Sequence, residues 1–354
     1  MDRTTQRCNK CLMTASFPGI CFDEEGICNE CRNFKRIEPL GEGRLLEVLN
    51  SRKGDKYDCI IGISGGRDSS YVAYLAKEKF KLRGLAVFYD SPFYCDLARE
   101  NVRTVCSNLN LDLKIVNSKD NLEYKLLQNH FLSVGATGTS WGQCIFCHYG
   151  IEAVIYNLAN ELNIPFSLSG VTKYEKWDAG NKTQILLSRV KKLPVNDLMR
   201  FAYYQSKAYL LLRDQRKQFN MPCSSMLNVY NDPEKPQNGP LSIKVFDYIQ
   251  WDPNLIEKTL IEKTGWIKPE NGLSWGYDCS LEPFLDYTYK KEFGISTVGL
   301  YFSHLIRDGL IDRDEAMKTL EKSEDDNILK EKLEKVFDFL EIPQSIRTKF
   351  YTTQ

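Results

Sequence analysis

Seven consecutive residues carry the clearest chemistry in this 354-residue chain: Ser64-Gly65-Gly66-Arg67-Asp68-Ser69-Ser70. They separate the apolar run Cys59–Ile63 from a helix-like stretch that continues to Phe80. A turn from a buried strand into a helix leaves backbone N–H groups without intrahelical partners, and the helix dipole adds positive potential there. Such a turn is an anion site, and phosphate suits it best. Gly65 and Gly66 allow close approach and positive φ. Ser64, Ser69 and Ser70 add hydroxyls, and Arg67 adds a cation. Asp68 opposes bare phosphate, so its expected role is to hold Mg²⁺ bridging phosphate oxygens. The spacing is neither G-x-x-x-x-G-K-[ST] nor G-x-G-x-x-G. The plain alternative is a glycine turn with capping serines.

Twelve cysteines supply a second signal. Cys8-x2-Cys11 and Cys28-x2-Cys31, 16 residues apart, fit a structural four-cysteine zinc ribbon by type and spacing. Cys144-x2-Cys147 begins a helical stretch, where a thiol is expected to have a lowered pKa and to ligate well. Either a metal site or a structural, substrate-lining role fits that pair. Cys59, Cys95 and Cys106 fall in strand or helix patterns and read as core.

The elements that must position these residues alternate. Strands are expected at Tyr57–Ser64, 84–89, 112–116 and about 165–170, with helices at about 42–53, 68–80, 94–109, 121–133 and up to 163. Strands alternating with helices predict a parallel, doubly wound α/β sheet. Three units follow: the cysteine element over 1–40, the α/β domain over 41–230 and a mostly helical region over 231–354. Asp312-x-x-Glu315 reads as a capping box there, with a charged helix at about 326–340 beyond it. The C-terminal aromatics Trp251, Trp266, Trp275, Tyr277, Tyr287 and Tyr289 either pack as a core or cover a substrate or partner.

Lys+Arg and Asp+Glu both number 47, which argues against a general polyanion binder and against nucleic acid. No apolar run approaches a membrane span, and the first residues lack a signal-type apolar stretch; a cytoplasmic protein is expected.

The form Ser-Gly-Gly-x-Asp-Ser after the first strand resembles the pyrophosphate loop of the PP-loop ATP pyrophosphatases (adenine nucleotide alpha hydrolase-like fold). This superfamily includes GMP, asparagine and argininosuccinate synthetases and tRNA thiolases. The resemblance implies adenylylation of an oxygen by ATP with loss of pyrophosphate, aided by Mg²⁺. It implies ATP binding by residues 64–70, with Asp90 after the second strand a candidate for the adenosine, or else a solvated turn acid. Gly170 is a candidate to close the pocket from the other side.

The order of elements is more specific. Gly26-Ile-Cys28-Asn-Glu-Cys31, the loop, Cys144-Ile-Phe-Cys147-His-Tyr-Gly-Ile-Glu152 and Ile306-Arg-Asp-Gly-Leu-Ile-Asp-Arg-Asp-Glu-Ala316 resemble the N-acetyl sugar amidotransferases of bacterial surface-polysaccharide biosynthesis. That resemblance implies conversion of an acetamido group on a nucleotide-linked sugar to an acetamidino group, in O-antigen (lipopolysaccharide) or related glycan synthesis. Asp68, Ser69, Cys144 and Cys147 are then the expected catalytic residues. Ammonia would come from a separate glutaminase paired with a cyclase-like subunit. The competing readings are a tRNA thiolase and a non-catalytic nucleotide binder. In the thiolase, Cys144, Cys147 and a third cysteine, Cys223 or Cys279, would hold an iron–sulfur cluster.

Overall fold

The computed structural model describes residues 6–137, 143–175, 186–218, 240–270 and 276–352. Its centre is a five-stranded, all-parallel sheet ordered β3-β2-β1-β4-β5. The strands are β1 (Cys59–Gly62), β2 (Gly84–Tyr89), β3 (Asp112–Val116), β4 (Phe166–Ser169) and β5 (Leu241–Lys244). β1 is central because both of its faces are apolar: Ile61 packs into the larger hydrophobic cluster and Ile60 into the cluster on the opposite face. Both side chains are fully buried, each stabilising the fold by about 1.5–3 kcal/mol. Cys59 lies opposite Gly84 on one side and Phe166 on the other.

The order turns outward in both directions from β1, so β1 and β4 flank the topological switch point, where open parallel sheets place their ligands. The helices preceding it in sequence are α1 (Asn29–Arg32) and α2 (Glu42–Asn50). Then come α3 (Arg67–Tyr74), α4 (Asp96–Asn108), α5 (Leu122–Val134), α6 (Gln143–Glu161) and α7 (Val195–Gln218). The C-terminal helices are α8 (Pro253–Thr264), α9 (Glu282–Phe293), α10 (Thr297–Arg307), α11 (Arg313–Ser323), α12 (Asp326–Phe339) and α13 (Gln344–Thr352).

Three features differ from the sequence expectation. β1 is shorter, because the chain leaves the ladder at Gly62 to form the turn. α3 ends at Tyr74 and passes into a π-helical turn, Leu75–Lys79. β5 lies beyond the boundary expected at 230, within the region read as mostly helical; its four residues are too few for a periodic signal. The capping expectation at Asp312 is met: its carboxylate accepts the Asp314 and Glu315 amides at 2.8 and 3.1 Å.

The cysteine element is not a detached bead. Cys8, Cys11, Leu12 and Met13 share one core cluster with Ile61 and Phe88 of the sheet and with Phe293, Leu300 and Leu305. Among the described residues, no helix is long and apolar enough to cross a membrane.

Candidate active site and metal centre

The turn stands where β1 hands over to α3. Gly65 has φ +81, and a Cβ there would lie 2.1 Å from the Ala98 carbonyl oxygen, so both conformation and space demand glycine. Ser64 Oγ accepts the Gly66 amide at 3.2 Å, Ser64 and Ser69 hydroxyls meet at 3.1 Å, and Ser69 Oγ accepts the Ser64 amide at 3.1 Å. Two hydroxyls and two backbone N–H groups thus gather at the turn. Gly170, after β4, backs it: a Cβ there would meet the Asp68 carbonyl carbon at 2.8 Å and the Ser69 amide nitrogen at 3.0 Å. Ser70 Oγ is fully buried without a protein hydrogen-bond partner.

Arg67 does not stand free at the turn. Its side chain is 4% exposed and does not stand out as a cation for phosphate. The guanidinium donates to Asp68 through Nε and Nη2, each at 3.0 Å, and to the Tyr301 hydroxyl at 3.1 Å, above the Trp251 ring. Trp251 Nε1 also donates to Asp68 Oδ1, at 2.9 Å. Asp68 is therefore a braced carboxylate. The physical reason is burial: a guanidinium out of water needs its counter-charge beside it.

Residues that sequence reasoning did not single out complete the surroundings. Glu175 accepts the Thr172 hydroxyl at 3.1 Å, and burial together with the Asp68 charge pushes its carboxyl up to about 7. Trp266 Nε1 and Tyr277 OH both donate to the Gly65 carbonyl, at 2.9 and 2.6 Å. The Asp278 carboxyl lies beside Ser64 Oγ at Gly66, and burial raises it. The aromatics flagged as core or cover thus include three, Trp251, Trp266 and Tyr277, that brace the turn. Their only sequence signal was residue type.

Asp90 follows β2, as expected, yet it is not a solvated turn acid: Arg99 Nε donates to it at 2.8 Å. Cys144 and Cys147 lie in the first two turns of α6. The expectation of a lowered pKa fails for Cys147, whose thiol is driven well above its usual value by burial and by neighbouring Glu123. Glu123 is itself fully buried and accepts the Ser91 hydroxyl at 2.9 Å. Cys279 lies within electrostatic reach of both cysteines. Cys223 lies outside the described residues.

Among the described residues, the cysteines that do converge as a ligand set are Cys8, Cys11, Cys28 and Cys31, whose sulfurs all lie within 4.8 Å of one another. The Cys8–Cys31 and Cys11–Cys28 separations are 3.9 and 3.7 Å, close to the roughly 3.8 Å edge of a tetrahedron with 2.3 Å metal–sulfur bonds. Backbone amides of Lys10, Cys11 and Cys28 point at Cys8 Sγ, and that of Met13 at Cys11 Sγ. Mutual hydrogen bonding lowers the Cys28 thiol and raises that of Cys11. Four thiols so close lose all their protons only when a cation shares the charge. The donor set fits a metal ion. Cys144, Cys147 and Cys279 do not form such a cage, so the described residues provide no preformed cluster site.

Sheet and turn together have the form of a PP-loop fold. More particularly, residues 45–132 match the family model of NAD synthase, and residues 275–349 match that of the C-terminal domain of WbpG-like LPS biosynthesis proteins. The chain joins an NAD synthase-like PP-loop domain to a WbpG-like C-terminal domain. An uncharacterized protein of Methanocaldococcus jannaschii is 33% identical over 117 residues, 31% of this chain and 42% of that protein. A probable sulfurtransferase of the same organism is 36% identical over 138 residues, covering 36% and 38%. An NH(3)-dependent NAD(+) synthetase of Pyrococcus furiosus is 39% identical over 90 residues, covering 25% and 31%. The chain spans less than half the length of these relatives. A solved NH3-dependent NAD synthetase from Campylobacter jejuni aligns with a TM-score of 0.30 and 17% identity, over 53% of this chain and 88% of that one.

Proposed function

We propose that the chain is an ATP-dependent amidotransferase of LPS or related surface-glycan synthesis, making an acetamidino group from an acetamido group on a nucleotide-linked sugar. The observation that carries this reading is the contact between its two matched parts. Tyr277, in the WbpG-like stretch, donates to Gly65 of the PP-loop, so the LPS-related region abuts the turn.

An amide carbon is a poor electrophile. Attack of the amide oxygen on the α-phosphorus of ATP, with loss of the amide proton and departure of pyrophosphate, gives an O-adenylyl imidate. Ammonia then adds to the imidate carbon and AMP leaves, forming the amidine. In this scheme Ser64, Ser69 and the Gly66 amide hold the pyrophosphate and its growing charge. Asp68 and Glu175 are the acids beside the turn suited to Mg²⁺, which would neutralise phosphate charge. The Cys8, Cys11, Cys28 and Cys31 centre would hold zinc and staple the N-terminus to the core. Ammonia would come from a separate glutaminase with a cyclase-like subunit.

The test is release of AMP and pyrophosphate from ATP, Mg²⁺ and ammonium with UDP-2-acetamido sugars. AMP formation that requires tRNA and a sulfur donor instead would move the assignment to a thiolase, a reading supported by the 36% identical probable sulfurtransferase. No AMP with any acceptor would leave a nucleotide binder.

A further inference from the structure

We propose that Asp278, supplied by the C-terminal region, is a direct ligand of the divalent cation that accompanies pyrophosphate on the turn. This rests on the ATP-dependent reading above and deepens it, since the site would then be incomplete without the WbpG-like region.

The placement of Asp278 is fixed from both sides. Tyr277 is tied to the Gly65 carbonyl at 2.6 Å. The Asp278 carbonyl accepts the Cys95 amide at 3.0 Å, Cys279 forms an antiparallel bridge with Tyr94, and the Ser280 amide reaches the Phe93 carbonyl at 2.8 Å. The carboxyl is thereby pressed onto the mouth of the turn. Its Oδ2 and Ser64 Oγ each lie 3.1 Å from where a Cβ on Gly66 would be, so the carboxyl and the Ser64 hydroxyl are neighbours at the turn. Ser64 is one of the turn's own anion donors, so Asp278 stands where phosphate oxygens would be received.

A bare carboxylate there opposes an anion. Asp68 and Asp278 already repel one another, and Glu175 adds a third acid that feels the Asp68 charge. The turn's own cation, Arg67, is committed to Asp68 and Tyr301. An anion cradle with surplus acid works only if a cation lies between acid and phosphate, and hard oxygen donors select a divalent one. Asp68 keeps about one acceptor position, because its two oxygens already accept three N–H groups from Arg67 and Trp251. Its own amide and the neighbouring Ser64 hydroxyl favour the charged form of the Asp278 carboxyl. Ser70 Oγ, fully buried in the first turns of α3, has no protein hydrogen-bond partner.

The experiment is titration of inorganic pyrophosphate into the full chain, once in Mg²⁺ and once in EDTA. Wild type should bind markedly better with Mg²⁺. Asp278→Asn should lose about tenfold in Mg²⁺, yet bind unchanged or more tightly in EDTA, where only repulsion has been removed. Asp278→Glu should keep most of the Mg²⁺ advantage. Tighter binding by Asp278→Asn in both media would overturn the proposal in favour of simple repulsion; weaker binding in both would reduce Asp278 to a prop for Ser64. Wild type without Mg²⁺-dependent binding would remove the ATP-dependent reading and this proposal with it. If the variants fail to fold, wild type decides: Fe²⁺ in place of Mg²⁺, with ascorbate and peroxide, should cut the chain near both Asp68 and Asp278. Cutting near Asp68 alone would refute the assignment.

Discussion

Trp251 donates its indole N–H to Asp68 at 2.9 Å while its ring lies 4.8 Å beneath the Arg67 guanidinium. One side chain from beyond β5 thus holds both members of an ion pair at the first turn of α3. The acid of the Ser-Gly-Gly-Arg-Asp-Ser turn is oriented by residues far from it in sequence. That arrangement sets the behaviour expected of Arg67.

Arg67→Ala should destabilise the protein by about 3–5 kcal/mol, the cost of removing one partner of a buried pair. Thermal unfolding measures it. Arg67→Lys should recover only part, since an ammonium cannot reproduce the two-pronged contact with Asp68. An alanine variant of undiminished stability that merely raises the KM for ATP would instead make Arg67 a phosphate-binding cation.

Gly170 is a separate test of the turn. A Cβ there meets backbone, the Asp68 carbonyl carbon and the Ser69 amide, rather than a side chain that could swing away. Gly170→Ala should shift the turn and lower AMP release by about tenfold, with a stability loss of about 1–3 kcal/mol. Full activity in that variant would mean that β4 does not support the turn.

Much of the frame was legible in the sequence and much of the site was not. β2 and β3 fall where their apolar and β-branched residues place them, and the turn was readable because its glycines and hydroxyls are contiguous. Trp251, Trp266 and Tyr277 reach the turn across 183, 201 and 212 residues, a relation no local pattern encodes. Glu175 and Asp278 are single acids in irregular stretches, ordinary until folding buries them beside Asp68. Arg67 is similar: its type suggests phosphate, and the ion pair with Asp68 appears only in the folded chain.

Glu175 gives a pH dependence with a definite sign. Its folded carboxyl, raised from 4.5 to about 7, prefers the protonated form. The associated stability is fully present below pH 4.5 and is lost as pH rises through about 7. Glu175→Gln should remove this slope, worth at most about 3 kcal/mol. Chemical denaturation of wild type and variant between pH 4.5 and 8 measures it. Identical slopes would show that Glu175 is ionised throughout.

Cys147 should behave as a thiol. Burial and Glu123 both hold its pKa up, so alkylation by iodoacetamide at pH 8 should be slower than that of exposed Cys21. Glu123→Gln should speed it modestly. Rapid alkylation of wild-type Cys147, followed by mass spectrometry, would restore the thiolate expected from its helix position.

The four-cysteine centre is coupled to the C-terminal helices by Arg307, whose Nη1 lies 3.6 Å from Cys11 Sγ, and by Arg313, which donates to the Cys8 and Cys11 carbonyls at 3.0 and 3.3 Å. A doubly negative metal–thiolate unit gains from the buried guanidinium beside it, as neutral thiols would not. Metal analysis should therefore find about one zinc per chain. Cys28→Ser should lose the metal and unfold at lower temperature. Arg307→Ala should release zinc to a chelator about tenfold faster while still binding one ion. Stoichiometric folding without metal, with Cys28→Ser as stable as wild type, would show the four cysteines to be ordinary core residues.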